Sequence, residues 1–306
     1  MTNPPFLTLV PLARQHFPGW SPGALVLQTR FVLAGLREAE LVARLLDPKP
    51  GSELARIMAE RPNLIGALVW PYLCASWGPN LRLRRIIGHY DAMDSLPAPL
   101  RFSVEDRLVL ATLDDLHPGL KLVLDQPEWF LREGGLTLNL FLDSFRAYSV
   151  AFSLYRTDAG ALVALIGGLQ GRNRDDMLDT YRDLTRTLHG LRPRDFLIEA
   201  LRILCRILQV DSLLAVSEAA RHHRHPYFRG ANPPAQDYDA IWLDRGGVAQ
   251  DPQFFALPVA QPRRDLAEVK PNKRPMYRRR FEFLDDLEAR IARDLPALRP
   301  VRFADS

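Results

Sequence analysis

The stretch that decides the fold is Leu136–Leu169, LTLNLFLDSFRAYSVAFSLYRTDAGALVALIGGL. LTLNLFL alternates apolar and polar residues. YSVAFSLY (Tyr148–Tyr155) alternates too, with Val150, Phe152 and Leu154 on one face. ALVALIGGL (Ala161–Leu169) is almost wholly apolar, as a strand covered on both sides must be. The links between them, Asp143–Arg146 and Thr157–Gly160, are too short for anything but hairpins, so the three strands form an antiparallel meander. Leu120–Leu124 (LKLVL) adds a strand before them, joined through Gly134-Gly135.

Downstream the period changes. Asp175–Leu188 is helical, with acids at its positive end. A second helix opens at Arg192-Pro193 and carries Phe196, Leu197, Ala200, Leu201, Leu204, Cys205 and Leu208 as one stripe. It feeds a strand at Ser212–Val216. A short helix follows at Tyr238–Leu243, then a β run at Phe254–Leu257 and a helical tail from Pro275 to Leu295.

Upstream of residue 100 the chain reads as helical. Residues 1–23 are a proline-rich irregular lead-in. Ala24–Leu46 is one helix stopped by Pro48, and shorter helices fit Ser52–Glu60, Leu64–Ser76 and Leu81–Met93. The expectation is an α+β chain: a helical region over 1–100, then an α+β domain over 101–306. Its order of strands and crossover helices is that of an acyl-CoA N-acyltransferase-like (GNAT-like) fold, an analogy of fold alone.

The chain has 306 residues and a formal net charge of +4, which permits an anionic partner and disfavours nucleic acid as the main one. Of 40 Lys and Arg residues only Lys49, Lys121, Lys270 and Lys273 are Lys. A G- and C-rich genome explains that; guanidinium-based anion binding is the sharper alternative. Cys74 and Cys205 form no metal-type spacing and no disulfide framework. No signal peptide is read at the N-terminus. The uncharged run PNLIGALVWPYLCASWGPNL (62–81) is broken by prolines, so a buried helix pair is expected, with a membrane-surface contact as the alternative. The expected location is the cytoplasm, with peripheral contact at the inner membrane left open.

Motifs for a phosphate loop, a dinucleotide fold, a serine-nucleophile elbow, a zincin and a Cys-x-x-Cys pair are all missing. His222, His223 and His225 lie between arginines with no nearby carboxylate, so a solvated basic loop is expected and no metal is assigned. Four constellations remain. Gly167–Arg174 ends a central strand: its glycines allow close approach, Gln170 and Gly171 line the turn, and Arg172 and Arg174 are suited to phosphate or carboxylate. It does not match the acyltransferase pyrophosphate pattern. His189–Arg194 joins two helices, with Arg192 and Arg194 beside a helix start and His189 titrating near neutrality. Lys270–Arg280 gathers Lys273, Arg274 and Arg278 where a helix start disfavours cations. Tyr238–Trp242 is a packed amphipathic turn or a substrate-lining patch. Candidate acid–base groups are His189, Tyr238 and Glu133. The anion seat is Gln170, Gly171, Arg172, Arg174, Arg192, Arg194, Lys273, Arg274 and Arg278.

These segments, together with His89-Tyr90, Glu133-Gly134-Gly135, IGGLQG (166–171), HGLRPR (189–194), YDAIW (238–242), FFALP (254–258) and KRPMYRRR (273–280), resemble the VirK/YbjX family of Gram-negative bacteria from about residue 30 to 295. The resemblance implies a role in envelope maintenance, virulence, surface display of an outer-membrane protein and resistance to antimicrobial peptides. It supplies no catalytic residues. The expected ligand is an anionic small molecule or lipid headgroup. Either an acyl-CoA-like donor serves a transferase, or the chain is a non-catalytic, chaperone-like factor at the inner membrane surface.

Overall fold

The computed structural model describes residues 6–172, 177–228, 230 and 236–302. Its centre is an open nine-stranded sheet, flanked by helices in a mixed α+β architecture. The strands are β1 (Asp106–Thr112), β2 (Leu120–Asp125), β3 (Leu136–Leu142), β4 (Phe145–Arg156), β5 (Leu162–Gly171), β6 (Ser212–Val216), β7 (Val248–Ala249), β8 (Phe254–Leu257) and β9 (Val301–Arg302). They lie in the order β7-β8-β6-β5-β4-β3-β2-β1-β9. Neighbours are antiparallel except β5 and β6, which are parallel. A parallel pair needs a long crossover, and α6 (Met177–Thr187) and α7 (Pro193–Ile207) lie within it.

Two irregularities in β5 position everything described below. Ala151 of β4 faces Gly168, whereas Phe152 faces Ile166, so Gly167 is an extra, bulged residue. Pairing of β5 with β6 ends at Ile166 and Ala215, yet β5 continues to Gly171 on the β4 side only. The sheet therefore parts after Ile166. The short α8 (Tyr238–Asp244) covers the opening. The Tyr238 hydroxyl accepts from Leu169 N at 2.7 Å and donates to Leu169 O at 3.2 Å, and Trp242 Nε1 donates to Val216 O at 2.8 Å. Side chains thus replace the ladder partners that β5 and β6 lack.

The helices before the sheet are α1 (Phe6–His16), α2 (Pro22–Arg37), α3 (Ala39–Leu46), α4 (Glu53–Glu60) and α5 (Pro79–Asp94), and the tail is α9 (Arg274–Asp294). One contiguous apolar core runs from Leu9 to Leu295.

Four expectations need correcting. The lead-in holds a helix, α1, despite Pro11, because Leu9 and Ala13 bury one turn apart. The 24–46 helix is two. It bends at Glu38, so that Val42 and Leu45 bury and Arg44 pairs with Asp91 of α5 at 2.7 Å. A strand, β1, precedes the meander, its apolar run LVLAT masked by the charged lead RFSVEDR.

Leu64–Ser76 is not a helix. A 3₁₀ segment, Pro62–Leu68, gives way to irregular chain that stays buried through Cys74. Its polar backbone is satisfied from outside: Leu73 N donates to Arg132 O (2.8 Å), and the buried Arg82 guanidinium donates to the carbonyls of Val69 (3.3 Å) and Trp70 (3.2 Å). The apolar run is core, and no described helix is long and apolar enough to cross a membrane.

Candidate functional site

Glu133 ends the connection between β2 and β3. A turn fixes it, with Glu133 N and Gly134 N both donating to Phe130 O. The bulge in β5 then receives it. A Cβ at Gly168 would run into Glu133 Oε2, and one at Gly167 into the Glu133 carbonyl. The two glycines do permit a close approach, but what approaches is the protein's own carboxyl.

Glu133 is 2% exposed. Gln170 Nε2 donates to its Oε1, while Oε2 has no hydrogen-bond partner among the described residues. Burial pushes its pKa up to about 8, against the opposing pull of the Arg221 charge and the Gln170 hydrogen bond. His222 Nε2 lies 3.8 Å from Oε1, and the His222 and His223 rings are 3.7 Å apart. Burial comes first in holding both imidazoles below their ordinary range, His223 at about 4. The charges of Arg132 and Arg221 push the same way. At neutral pH the trio is a carboxylic acid beside two uncharged imidazoles. His223 Nδ1 also lacks a partner among the described residues.

The segment 221–225 is therefore not the solvated loop expected from its sequence. His222 and Arg221 are buried. The Arg221 guanidinium stacks 4.1 Å over Tyr238 and donates to Glu218 Oε2 at 3.2 Å. The missing carboxylate is Glu133, since one ligand atom from each of Glu133, His222 and His223 falls within 4.8 Å of the others. A dication there would face Arg132 and Arg221 inside a poorly screened interior. Those charges favour reading the trio as a proton site over a metal site.

Three hollows follow one another through shared lining residues, and the first meets the trio through Gln170, the hydrogen-bond partner of Glu133. One of about 340 Å³ is lined by Trp129, Tyr148, Ser149, Gln170, Gly171 and Arg172. Tyr148 also lines a second, of about 510 Å³, with Tyr181, Arg186, Arg192 and Arg194. Arg192 and Arg194 continue into a third, of about 710 Å³, with Gln236, Arg245, Tyr277 and Arg280. The carboxylates of the third are already engaged. Asp195 pairs with Arg194 at 3.0 Å, Asp244 with Arg245 at 3.0 Å, and Asp237 caps α8 through Ala240 N.

The anticipated residues divide accordingly. Gln170, Gly171, Arg172, Arg192 and Arg194 line the connected hollows. Lys273 and Arg278 are exposed and lie outside them, and Arg274 is spent on the carbonyls of Val269 (2.9 Å) and Ala267 (3.1 Å). Arg174 lies outside the described residues.

Two of the three acid–base candidates move to structural roles. Tyr238 is buried with its hydroxyl spent on Leu169, and burial raises its pKa, so it fastens the parted sheet. His189 sits at the α6–α7 corner with φ +52. Its carbonyl accepts from Arg280 (3.0 and 2.9 Å), and its ring packs edge-on to Phe283. Glu133, the weakest candidate by sequence, is the most perturbed acid. Sequence reasoning named Arg280 only within the basic run Lys270–Arg280 and passed over Trp129, Tyr148 and Gln236 as site residues. They line the cleft through tertiary placement and have no local signature.

The sequence profile of a family described as "Protein of unknown function (DUF535)" matches residues 24–293. Among curated relatives, the "Uncharacterized protein YbjX" of Escherichia coli (strain K12) is 29% identical over 244 residues, covering 77% of this chain and 73% of that protein. An "Uncharacterized protein" of Haemophilus influenzae is 33% identical over 123 residues, covering 40% of each chain.

Proposed function

The chain belongs to this DUF535 family, whose description assigns no activity, and on that premise we propose that it is a transferase with Glu133 as its protonated acid. An anionic, phosphate-bearing donor occupies the arginine-lined cleft. The observation that carries this reading is the buried Glu133 carboxyl, raised to about 8 and left without a partner on Oε2. Burial of an acid in a site without full hydrogen bonding is how proteins hold a proton ready near pH 7. His222 and the half-buried His223 give that proton a route towards solvent.

The donor class follows from charge and topology. The Arg192 side chain makes no hydrogen bond among the described residues and faces the cleft beside Arg194 and Arg280. Guanidinium groups grip phosphate oxygens two at a time. The antiparallel β2–β5 run, parallel β6 and parting of the sheet support the analogy with an acyl-CoA N-acyltransferase-like fold, and on that analogy the donor is acyl-CoA-like. Tyr238 closes the parted edge itself, so such a donor enters from the arginine side. An envelope precursor as acceptor suits the role that the VirK/YbjX resemblance implies.

The competing view, a chaperone-like factor on the membrane surface, rested partly on residues 64–76 as an apolar contact. Leu64–Cys74 is buried and leaves that view with the basic start of α9 alone.

Thermal-shift measurements with coenzyme A, acetyl-CoA and nucleotide-sugars test the proposal. A donor at 100 times its Kd stabilises by about 2.7 kcal/mol, a clear rise in Tm. We expect that rise with a coenzyme A compound. We expect it to shrink strongly in Arg192→Ala, whose side chain is exposed and whose unliganded Tm stays near wild type. No shift with any donor at saturation refutes the transferase reading.

A further inference from the structure

The hollow beside Trp129 carries an inference of its own. Trp129 stands 67% exposed in the short turn Glu128–Phe130. An indole left this open forfeits burial that a ligand can restore. It is nonetheless held, since the Arg146 guanidinium lies 5.3 Å over its ring. The hollow it walls measures about 340 Å³, at the small end for a ligand site.

The floor of the hollow is polar, and its hydrogens are already assigned. Asn139, Ser149 and Gln170 stand directly opposite one another across β3, β4 and β5. Asn139 Nδ2 donates to Asp125 Oδ1 (2.8 Å), Val123 O (3.1 Å) and Thr137 O (3.0 Å), which fixes the orientation of its amide. Asn139 Oδ1 must then accept, and the Ser149 hydroxyl donates to it at 2.7 Å. Ser149 Oγ is left with lone pairs only. Gln170 gives Nε2 to Glu133, and its Oε1 has no partner among the described residues. Ser149 and Gln170 both line the hollow, so the floor presents acceptors in want of O–H or N–H donors. A phosphate or carboxylate, all acceptor, does not complement such a floor. A ring with an apolar face for the indole and several hydroxyls at its edge does. Arg172 on the rim can donate to the ring's remaining oxygens.

We propose that the Trp129 hollow is a sugar subsite: it takes one hexose ring, stacked on Trp129, with hydroxyls donating to Ser149 and Gln170. In the transferase reading, on which this role rests, the ring is the acceptor. The binding itself needs neither donor nor Glu133 ionisation.

Ligand-observed NMR and calorimetry on the full chain, with glucose and N-acetylglucosamine, test it. Inorganic phosphate and adenosine serve as contrasts. Single-ring affinities near 1 mM correspond to about −4.1 kcal/mol, within reach of both methods. We expect saturable binding of at least one sugar, weakened roughly tenfold or more in Trp129→Ala. Ser149→Ala should weaken it as well. No saturable binding by either sugar overturns the subsite. So does sugar binding untouched by Trp129→Ala, or binding of adenosine or phosphate alone in this hollow. Coenzyme A stabilisation of the wild type without any saturable sugar binding would sink the subsite and leave the transferase reading standing.

Discussion

Asp125 and Glu133 are eight positions apart, flank the same connection and are buried alike, at 3% and 2% exposure. Their surroundings differ completely. Asp125 is ringed by donors: Asn139 Nδ2 at 2.8 Å, both terminal nitrogens of Arg146, and Arg107 Nε at 3.5 Å. Glu133 has one donor, Gln170, an orphaned second oxygen and two imidazoles that are themselves uncharged. The first carboxylate is paid for by its partners and serves as structure. The second is held against its solvation preference and keeps its proton. Depth of burial does not separate structural from functional acids in this protein; completeness of hydrogen bonding does.

The largest expected effect tests the satisfied side. Arg146→Met leaves Asp125 buried beside a poorer set of donors. Breaking one member of such a pair costs about 3–5 kcal/mol, read as a lower urea midpoint at neutral pH. A loss under about 1 kcal/mol would mean that Arg107 and Asn139 suffice, and that the contrast with Glu133 is weaker than its geometry suggests.

The smaller effect tests the unsatisfied side, through pH. The folded pKa of Glu133 is raised from 4.5 to about 8. The native state therefore keeps a proton that the unfolded chain releases. The stabilising contribution is complete below 4.5 and is lost as pH climbs towards 8. His222 and His223 are shifted the other way, below 6.5, as are His16, His89, His189 and His225. Their unfolded forms titrate at about 6.5, a contribution common to wild type and Glu133→Gln that cancels in the comparison. Between about pH 6.5 and 8 wild type should lose about 2 kcal/mol of stability relative to Glu133→Gln, measured by urea unfolding at a series of pH values. Parallel curves for the two proteins would place an ordinary carboxylate at position 133.

The same contrast shows which parts were legible from sequence. The meander strands were, because alternation and short polar links act locally at Leu136–Leu142 and Tyr148–Tyr155. The 3₁₀ and irregular course of Pro62–Cys74 was not. Its apolar letters look helical, and only Arg82 and Leu73 show how its backbone is satisfied.

Gly167-Gly168 was correctly marked as a place of close approach, but the approaching group comes from residue 133, outside the local text. The histidines were seen and misread for the same reason: their carboxylate lies 89 positions upstream, and no spacing rule reaches that far. Arg192 and Arg194 were legible because a helix start and its flanking cations are neighbours in sequence. Tyr238 misled because the parting of β5 from β6, which it fastens, leaves no trace in composition.

The central claim is that Glu133 carries a proton at neutral pH, and infrared difference spectroscopy observes that proton directly. The account predicts a protonated-carboxyl C=O band at pH 7 that fades as pH rises through about 8 and is missing from Glu133→Gln. A spectrum at pH 7 with no such band, or one that Glu133→Gln leaves unchanged, would contradict it.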